Sequence, residues 1–155
     1  MGSSQYVIFS LGEEEYGINI SHAQEIIRIP EQITKIPNMP AYIDGVFNLR
    51  GKVIPIIDLK KRFDFAQTER NADNRLLVID LDNMLVGTIV DNVSEVLMID
   101  DSSIENLYSE IAGIGKNCIQ GICNMGNRLI LLLDALKMKD EVFHHNQSRG
   151  ECHES

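Results

Sequence analysis

Two sets of side chains in this sequence have the types and spacing to do chemistry. Cys118 and Cys123 with His144 and His145 supply four soft or borderline metal ligands, and Glu25 with Arg50 supplies an anion and a planar cation able to form a geometrically demanding pair. The ligand spacing suits no common zinc module. Cys123 alternates within an expected strand as a small core residue would, and the paired histidines fall in a solvated tail. His22 is the only histidine before residue 144, which leaves little for general-base catalysis. The sequence also lacks Gly-x-Ser-x-Gly, a P-loop, Gly-x-Gly-x-x-Gly and His-Glu-x-x-His. The expectation is a protein without catalysis, metal or cofactor.

Arg50 is harder to dismiss. It stands in Asn48-Leu49-Arg50-Gly51, a polar knot between the apolar runs 45–49 and 52–57, where the chain must reverse. A turn asks for glycine or asparagine rather than a long cation. One reading is a solvated turn residue, since exposed charges contribute little. The other is that Arg50 fixes a carboxylate, with Glu25, just before the apolar pair Ile26-Ile27, as candidate.

An internal duplication bears on this choice. Residues 6–27 laid on 76–97 without a gap match Leu11 with Leu81, Gly17 with Gly87 and Glu25 with Glu95. Residues 43–59 laid on 119–135 match Ile43 with Ile119, Gly45 with Gly121, Asn48 with Asn124, Ile54 with Ile130 and Asp58 with Asp134. The two matches keep the same order in both halves, as a tandem repeat requires. Arg50 then falls opposite Gly126, and if both copies make the same hairpin, the turn itself does not need the arginine.

The elements that position these residues read as short strands: 6–11, 15–19, 26–29, 45–49, 52–57, 76–81, 84–90, 93–99, 119–124 and 128–133, rich in Val, Ile and Tyr and punctuated by Gly, Asn and Asp. Antiparallel strands joined by tight turns imply barrels or sandwiches. The expected fold is all-β, two related barrels in tandem, with approximate subdomains 5–63 and 75–133, strand exchange between them being possible, and the polar stretch 64–74 as the join. Asp58 and Asp134 each follow a strand and could cap a helix, and only the stretch after Asp134, to residue 143, is long enough for a stable one. Residues 144–155 carry no periodicity, and the expectation for them is a frayed tail. Pro55 lacks the N–H that a central ladder needs, so its strand is an edge or is bulged, covered by a partner or by the protein itself. Ile36-Pro37-Asn38-Met39-Pro40 reads as a stiffened apolar loop, over a barrel end or against a partner.

Composition bounds the partners. The chain has 155 residues, 44% of them hydrophobic and 24% charged, enough for one substantial core or two small ones. Net charge is −9 with no basic run, which disfavours nucleic acid and anionic membranes. The longest apolar runs, 54–57 and 129–133, fall far short of the ~20 residues that a spanning helix needs. Three cysteines without close pairing and no visible signal peptide fit a reducing, cytoplasmic setting.

Glu25-Ile26-Ile27, the loop 37–40, the run from Ile43 through Asn48-Leu49-Arg50-Gly51 to Leu59, the stretch 90–97 and Ile130-Leu131-Leu132-Leu133-Asp134 closely resemble the CheW family of bacterial chemotaxis coupling proteins. The resemblance covers residues 5 to about 139. It implies two SH3-like five-stranded β-barrels packed together with a short C-terminal helix, and a cytoplasmic adaptor that joins the cytoplasmic tips of chemoreceptors (methyl-accepting chemotaxis proteins) to the regulatory domain of the histidine kinase CheA in membrane-bound arrays. Carried over, Glu25 and Arg50 match the acid and arginine beside the receptor groove, and Asn48 and Gly51 match its hairpin. Ile27, Val46 and Val96 are the expected apolar lining, since a docking helix buries a stripe of anchors. Ile54, Ile56, Met84 and Met125 are the candidates for meeting the kinase. The alternatives are the coupling domain of a CheV-type scaffold, or a small β-barrel ligand-binding protein or enzyme.

Overall fold

The computed structural model describes residues 2–63, 65, 69–105 and 118–139. The first half runs β1 (Ser3–Leu11), β2 (Glu14–Asn19), a 3-10 turn (Ile20–His22), β3 (Ala23–Arg28), β4 (Ile43–Leu49), β5 (Lys52–Asp58) and α1 (Leu59–Arg62). The second runs β6 (Arg75–Asp80), β7 (Leu85–Val90), β8 (Asn92–Asp100), a 3-10 turn (Asp101–Ser103), β9 (Ile104–Glu105), β10 (Ile119–Met125), β11 (Arg128–Leu133) and α2 (Ala135–Lys139). Each expected strand has its counterpart. Residues 140–143 of the expected helix, the tail with His144, His145 and Cys152, and part of the join at 64 and 66–68 lie outside the described residues.

The strands form two sheets ordered β8-β1-β2-β11-β10-β9 and β3-β6-β7-β5-β4. A division of the chain at 63/75 does not separate them: the β1–β2 hairpin of the first half sits among strands of the second, and the β6–β7 hairpin of the second among strands of the first. Under the duplication the two orders are the same, β8, β1, β2, β11 and β10 corresponding to β3, β6, β7, β5 and β4. This exchange also corrects the all-antiparallel expectation, because each inserted hairpin meets its new neighbour in parallel, β2 against β11 and β7 against β5.

Residue pattern explains why the inserted strands lie where they do. In β1, Tyr6 and Ile8 point into the interior of their own barrel with Ile99, Cys123, Ile130 and Leu132, while Val7, Phe9 and Leu11 point into a core shared by both sheets. In β6, Leu76 and Val78 enter the other barrel with Ile54, Ile56 and Ile89, and Leu77 and Ile79 join the shared core. Alternation normally leaves one face polar, so unbroken apolar runs such as 6–9 and 76–79 mark strands buried on both faces. The shared core also takes Tyr16 and Phe63, whose rings stack at 6.2 Å, and Cys118. Both described cysteines are fully buried, and burial pushes the Cys123 thiol up, as suits a core residue.

Helices follow the two aspartates. Asp58 Oδ1 accepts the N–H groups of Lys60 and Lys61 at 3.1 and 3.2 Å, and Asp134 Oδ1 those of Leu136 and Lys137 at 3.0 and 3.1 Å. The first stretch does form a helical turn despite its length, because Leu59 is buried in the shared core and tertiary packing holds what propensity alone would not.

Pro55 does not mark an edge strand, since β5 lies between β4 and β7. Val46, opposite Pro55, exchanges both of its backbone hydrogen bonds with Thr34, at 2.8 and 2.9 Å. Its polar groups therefore face away from β5, the 46/55 pair needs no N–H from proline, and the parallel pairing to β7 begins only at Ile56. That same Thr34 bridge presses on Gly45, which has φ +148° and sits at a register shift of β4. A Cβ there would collide with the Thr34 carbonyl oxygen.

Two outcomes follow from this packing. Gly45→Ala should lose about 1–3 kcal/mol of stability by urea titration, because the obstacle is backbone and cannot move aside cheaply. Tyr16, desolvated by burial and repelled by Glu14, ionises at about 12 rather than 10.0. The unfolded chain then releases this proton first, so the contribution is complete below pH 10 and is lost as pH rises toward 12, at up to about 1.4 kcal/mol per pH unit. Compared with wild type, Tyr16→Phe should flatten the fall of the unfolding midpoint in that window.

Candidate functional site

Glu25 lies on β3 and Arg50 in the β4–β5 turn, so they belong to the two opposite edges of one sheet, which curling brings together. Arg50 Nη2 donates to Glu25 Oε1 at 2.7 Å. The arginine side chain is 70% exposed and the carboxylate 22%. This hydrogen bond, then the carboxylate's charge, holds the guanidinium above its ordinary pKa. Only one carboxylate oxygen is engaged; Glu25 Oε2 is buried without a hydrogen-bond partner among the described residues.

The backbone at this turn is costly for an arginine. Arg50 has φ +50° and Gly51 φ +89°, a left-handed pair that twists with the strands, and the Asn48 side chain accepts the Gly51 N–H at 2.7 Å. At the equivalent place in the other barrel, Gly126 has φ +70° and Asn127 is not left-handed. The two hairpins therefore differ in turn type, contrary to the simple expectation from the duplication. Their first central residue nevertheless shares the conformation that glycine adopts freely and that costs an L side chain roughly 1–2 kcal/mol.

The apolar candidates divide by strand parity. Ile27 is turned inward, packed with Ile29, Ile33 and Phe47 against the barrel interior; the outward residue is its neighbour Ile26, 44% exposed. Ile26 is also the repeat counterpart of Val96, 47% exposed on β8, the edge strand of the other sheet, where Met98 is 59% exposed. Val46 is half-buried beside Thr34. The structure thus gathers Glu25, Asn48, Arg50 and Gly51 at one barrel and places Val96 on the other.

Ile54 and Ile56 require correction as contact residues: they are 2% and 0% exposed, inside the barrel with Leu76 and Val78. The same strand presents Val53, 68% exposed, in a groove of about 500 Å³ lined also by Lys52, Ile54, Pro55 and Met84. Met84 and Met125, 37% and 40% exposed, do face outward, and Leu129, 57% exposed, lies near Met125 on the β10–β11 hairpin. The loop residues Ile36 and Met39 remain 41% and 38% exposed.

A second acid–arginine clasp was missed in the sequence. Arg128 meets Glu15 with Nε at 2.9 Å and Nη2 at 3.1 Å, and Glu95 with Nη2 at 2.8 Å. Glu95 is the counterpart of Glu25, but its arginine stands two positions after Gly126, the counterpart of Arg50. A search for arginine near, rather than at, the matched position would have found it. Among the described residues no group of three His, Cys, Asp or Glu side chains could hold a metal, and no helix is long and apolar enough to cross a membrane.

Comparison with known proteins agrees in kind. A family described as "CheW-like domain" matches residues 5–142. The chemotaxis protein CheW of Treponema pallidum (strain Nichols) is 33% identical over 138 residues, covering 86% of this chain and 81% of that protein. CheW of Klebsiella aerogenes is 36% identical over 134 residues, covering 86% and 80%. The crystal structure of the scaffolding protein TtCheW from Thermoanaerobacter tengcongensis superposes with a TM-score of 0.79 at 37% identity, covering 86% of each chain. With its two exchanged β-barrels, its acid–arginine turn and these relatives, the chain belongs to the CheW-like domain family of non-enzymatic chemotaxis scaffold proteins.

Proposed function

We propose that this chain couples the cytoplasmic tips of chemoreceptors to the regulatory domain of the kinase CheA, working in the cytoplasm at membrane-bound receptor arrays. The observation that carries the receptor assignment is Arg50. Its backbone position is one where the repeat uses glycine, and its guanidinium stays 70% exposed while Glu25 holds it. A residue that costs the turn energy and adds only an exposed ion pair is better explained by use than by stability. A receptor helix would lie along Ile26 and Val96, with Ile27 and Val46 supporting from behind and Asn48 and Gly51 fixing the hairpin. The kinase would meet the barrel ends, at Val53 and Met84 on one and Met125 and Leu129 on the other. The filled barrel interiors favour this adaptor reading over a ligand carrier.

Mixing the full chain with soluble receptor-tip fragments and with the CheA regulatory domain tests the proposal: co-elution with each at tens of micromolar is expected, and failure with both rejects it. Arg50→Gly should leave the urea unfolding midpoint close to that of wild type, relief of the left-handed backbone offsetting loss of an exposed pair. Receptor-tip affinity should nevertheless fall about tenfold or more, with kinase-domain binding unchanged. Val53→Asp should do the reverse, weakening the kinase contact by a similar factor and sparing the receptor.

A further inference from the structure

The chain passes between the two sheets at only two places among the described residues: through the 3-10 turn Ile20–His22, and through Asp91, the single residue between β7 of one barrel and β8 of the other. Asp91 divides its polar groups between both barrels. Toward the β1–β2 side, its N–H donates to the Ser10 carbonyl at 3.0 Å and its Oδ2 accepts the Gly12 N–H at 2.6 Å. Toward the other barrel, its carbonyl accepts from Asn74 Nδ2 at 3.0 Å, and its carboxylate lies 3.2–3.3 Å from Lys60 Nζ at the start of α1. Lys60 is 8% exposed and Asp91 26%, so this pair is screened by water far less than Arg50–Glu25.

We infer that Asp91 is a latch that sets the angle between the two barrels. The shared apolar core holds the barrels together, but apolar contact is non-directional and tolerates small rotations. A charge-assisted bond of 2.6 Å to one barrel's turn, together with a half-buried ion pair to the other barrel, is directional. Both end on the same carboxylate, so neither barrel can turn about the crossing without stretching one of them. The latch is independent of the receptor reading; the two meet only in the spacing of β3 and β8, which would change with the angle.

The test uses the full chain with Cys152→Ser and spin labels on Lys52→Cys and Asn127→Cys, exposed hairpin positions on different barrels. Asp91→Ala should broaden or shift the label-to-label distance distribution and raise amide exchange at Gly12 about tenfold, while exchange within β6 and β11 stays within about twofold of wild type. Lys60→Met, which retains the apolar stem, should shift the distances in the same sense with a smaller effect on Gly12. An unchanged distribution in both variants overturns the latch. So does global loss of protection in both, since Asp91 and Lys60 would then support folding as a whole rather than orientation. Receptor-tip binding is not part of the readout, so failure here leaves the coupling proposal standing, and the reverse holds equally.

Discussion

Strands β1 and β6 are buried on both faces, and the architecture depends on that demand. A lone five-stranded barrel offers one apolar interior, enough for Tyr6 and Ile8 or for Leu76 and Val78, but nothing for Val7, Phe9, Leu11, Leu77 and Ile79 on the reverse. Those side chains find cover only when the back of one sheet meets the back of the other. The shared core is thus a requirement of the hairpins, and each barrel sets a strand buried on both faces, β1 or β6, against its neighbour. Exchange of the hairpins between halves strengthens the arrangement, because neither half of the chain can complete a barrel alone. The two halves of the chain are bound by backbone ladders within each sheet, and the two sheets by side-chain packing.

Around this fixed centre the chain places its polar chemistry at ends and crossings. The sheets curl, and acid–arginine pairs tie elements that are distant in sequence: Arg50 to Glu25, and Arg128 to Glu15 and Glu95. The repeat keeps the acid and lets the arginine drift, as expected if the closure matters more than its exact anchoring point. Only the first clasp sits on a left-handed backbone with its guanidinium largely in water, and that difference between otherwise related sites is what singles it out for recognition. The exposed apolar residues follow the same logic. Ile26 and Val96 are symmetry-related positions on edge strands, whereas the barrel ends differ, Val53 and Met84 making an apolar groove at one and Leu129 standing beside charged groups at the other.

Much of this was legible in the residues. Strand positions, the all-β class and the duplication follow from period-two apolar runs and turn residues, because those preferences are local. The two aspartate caps were legible for the same reason, and so was the surplus of Arg50, once Gly126 stood opposite it. Less legible was which of two adjacent isoleucines faces out. Register shifts between Ala23 and Glu25 and between Ile43 and Gly45 change the parity of β3 and β4 relative to their partners, and no run of residue types reveals a bulge. Ile54 and Ile56 were misplaced as contact residues because an apolar residue in a strand reads alike whether it lines a core or a binding surface.

By itself, the sequence determined the class of fold, the twofold repetition, the turn that carries Arg50 and the family to which these belong, since each rests on residues close together in the chain or on whole-chain pattern. Tertiary structure alone decided that the hairpins cross between halves, that two pairings are parallel, that Arg128 serves Glu95 and that Asp91 answers to both barrels. These depend on contacts between residues tens of positions apart, whose closure entropy is repaid only when the shared core forms, and local preference carries no record of that exchange.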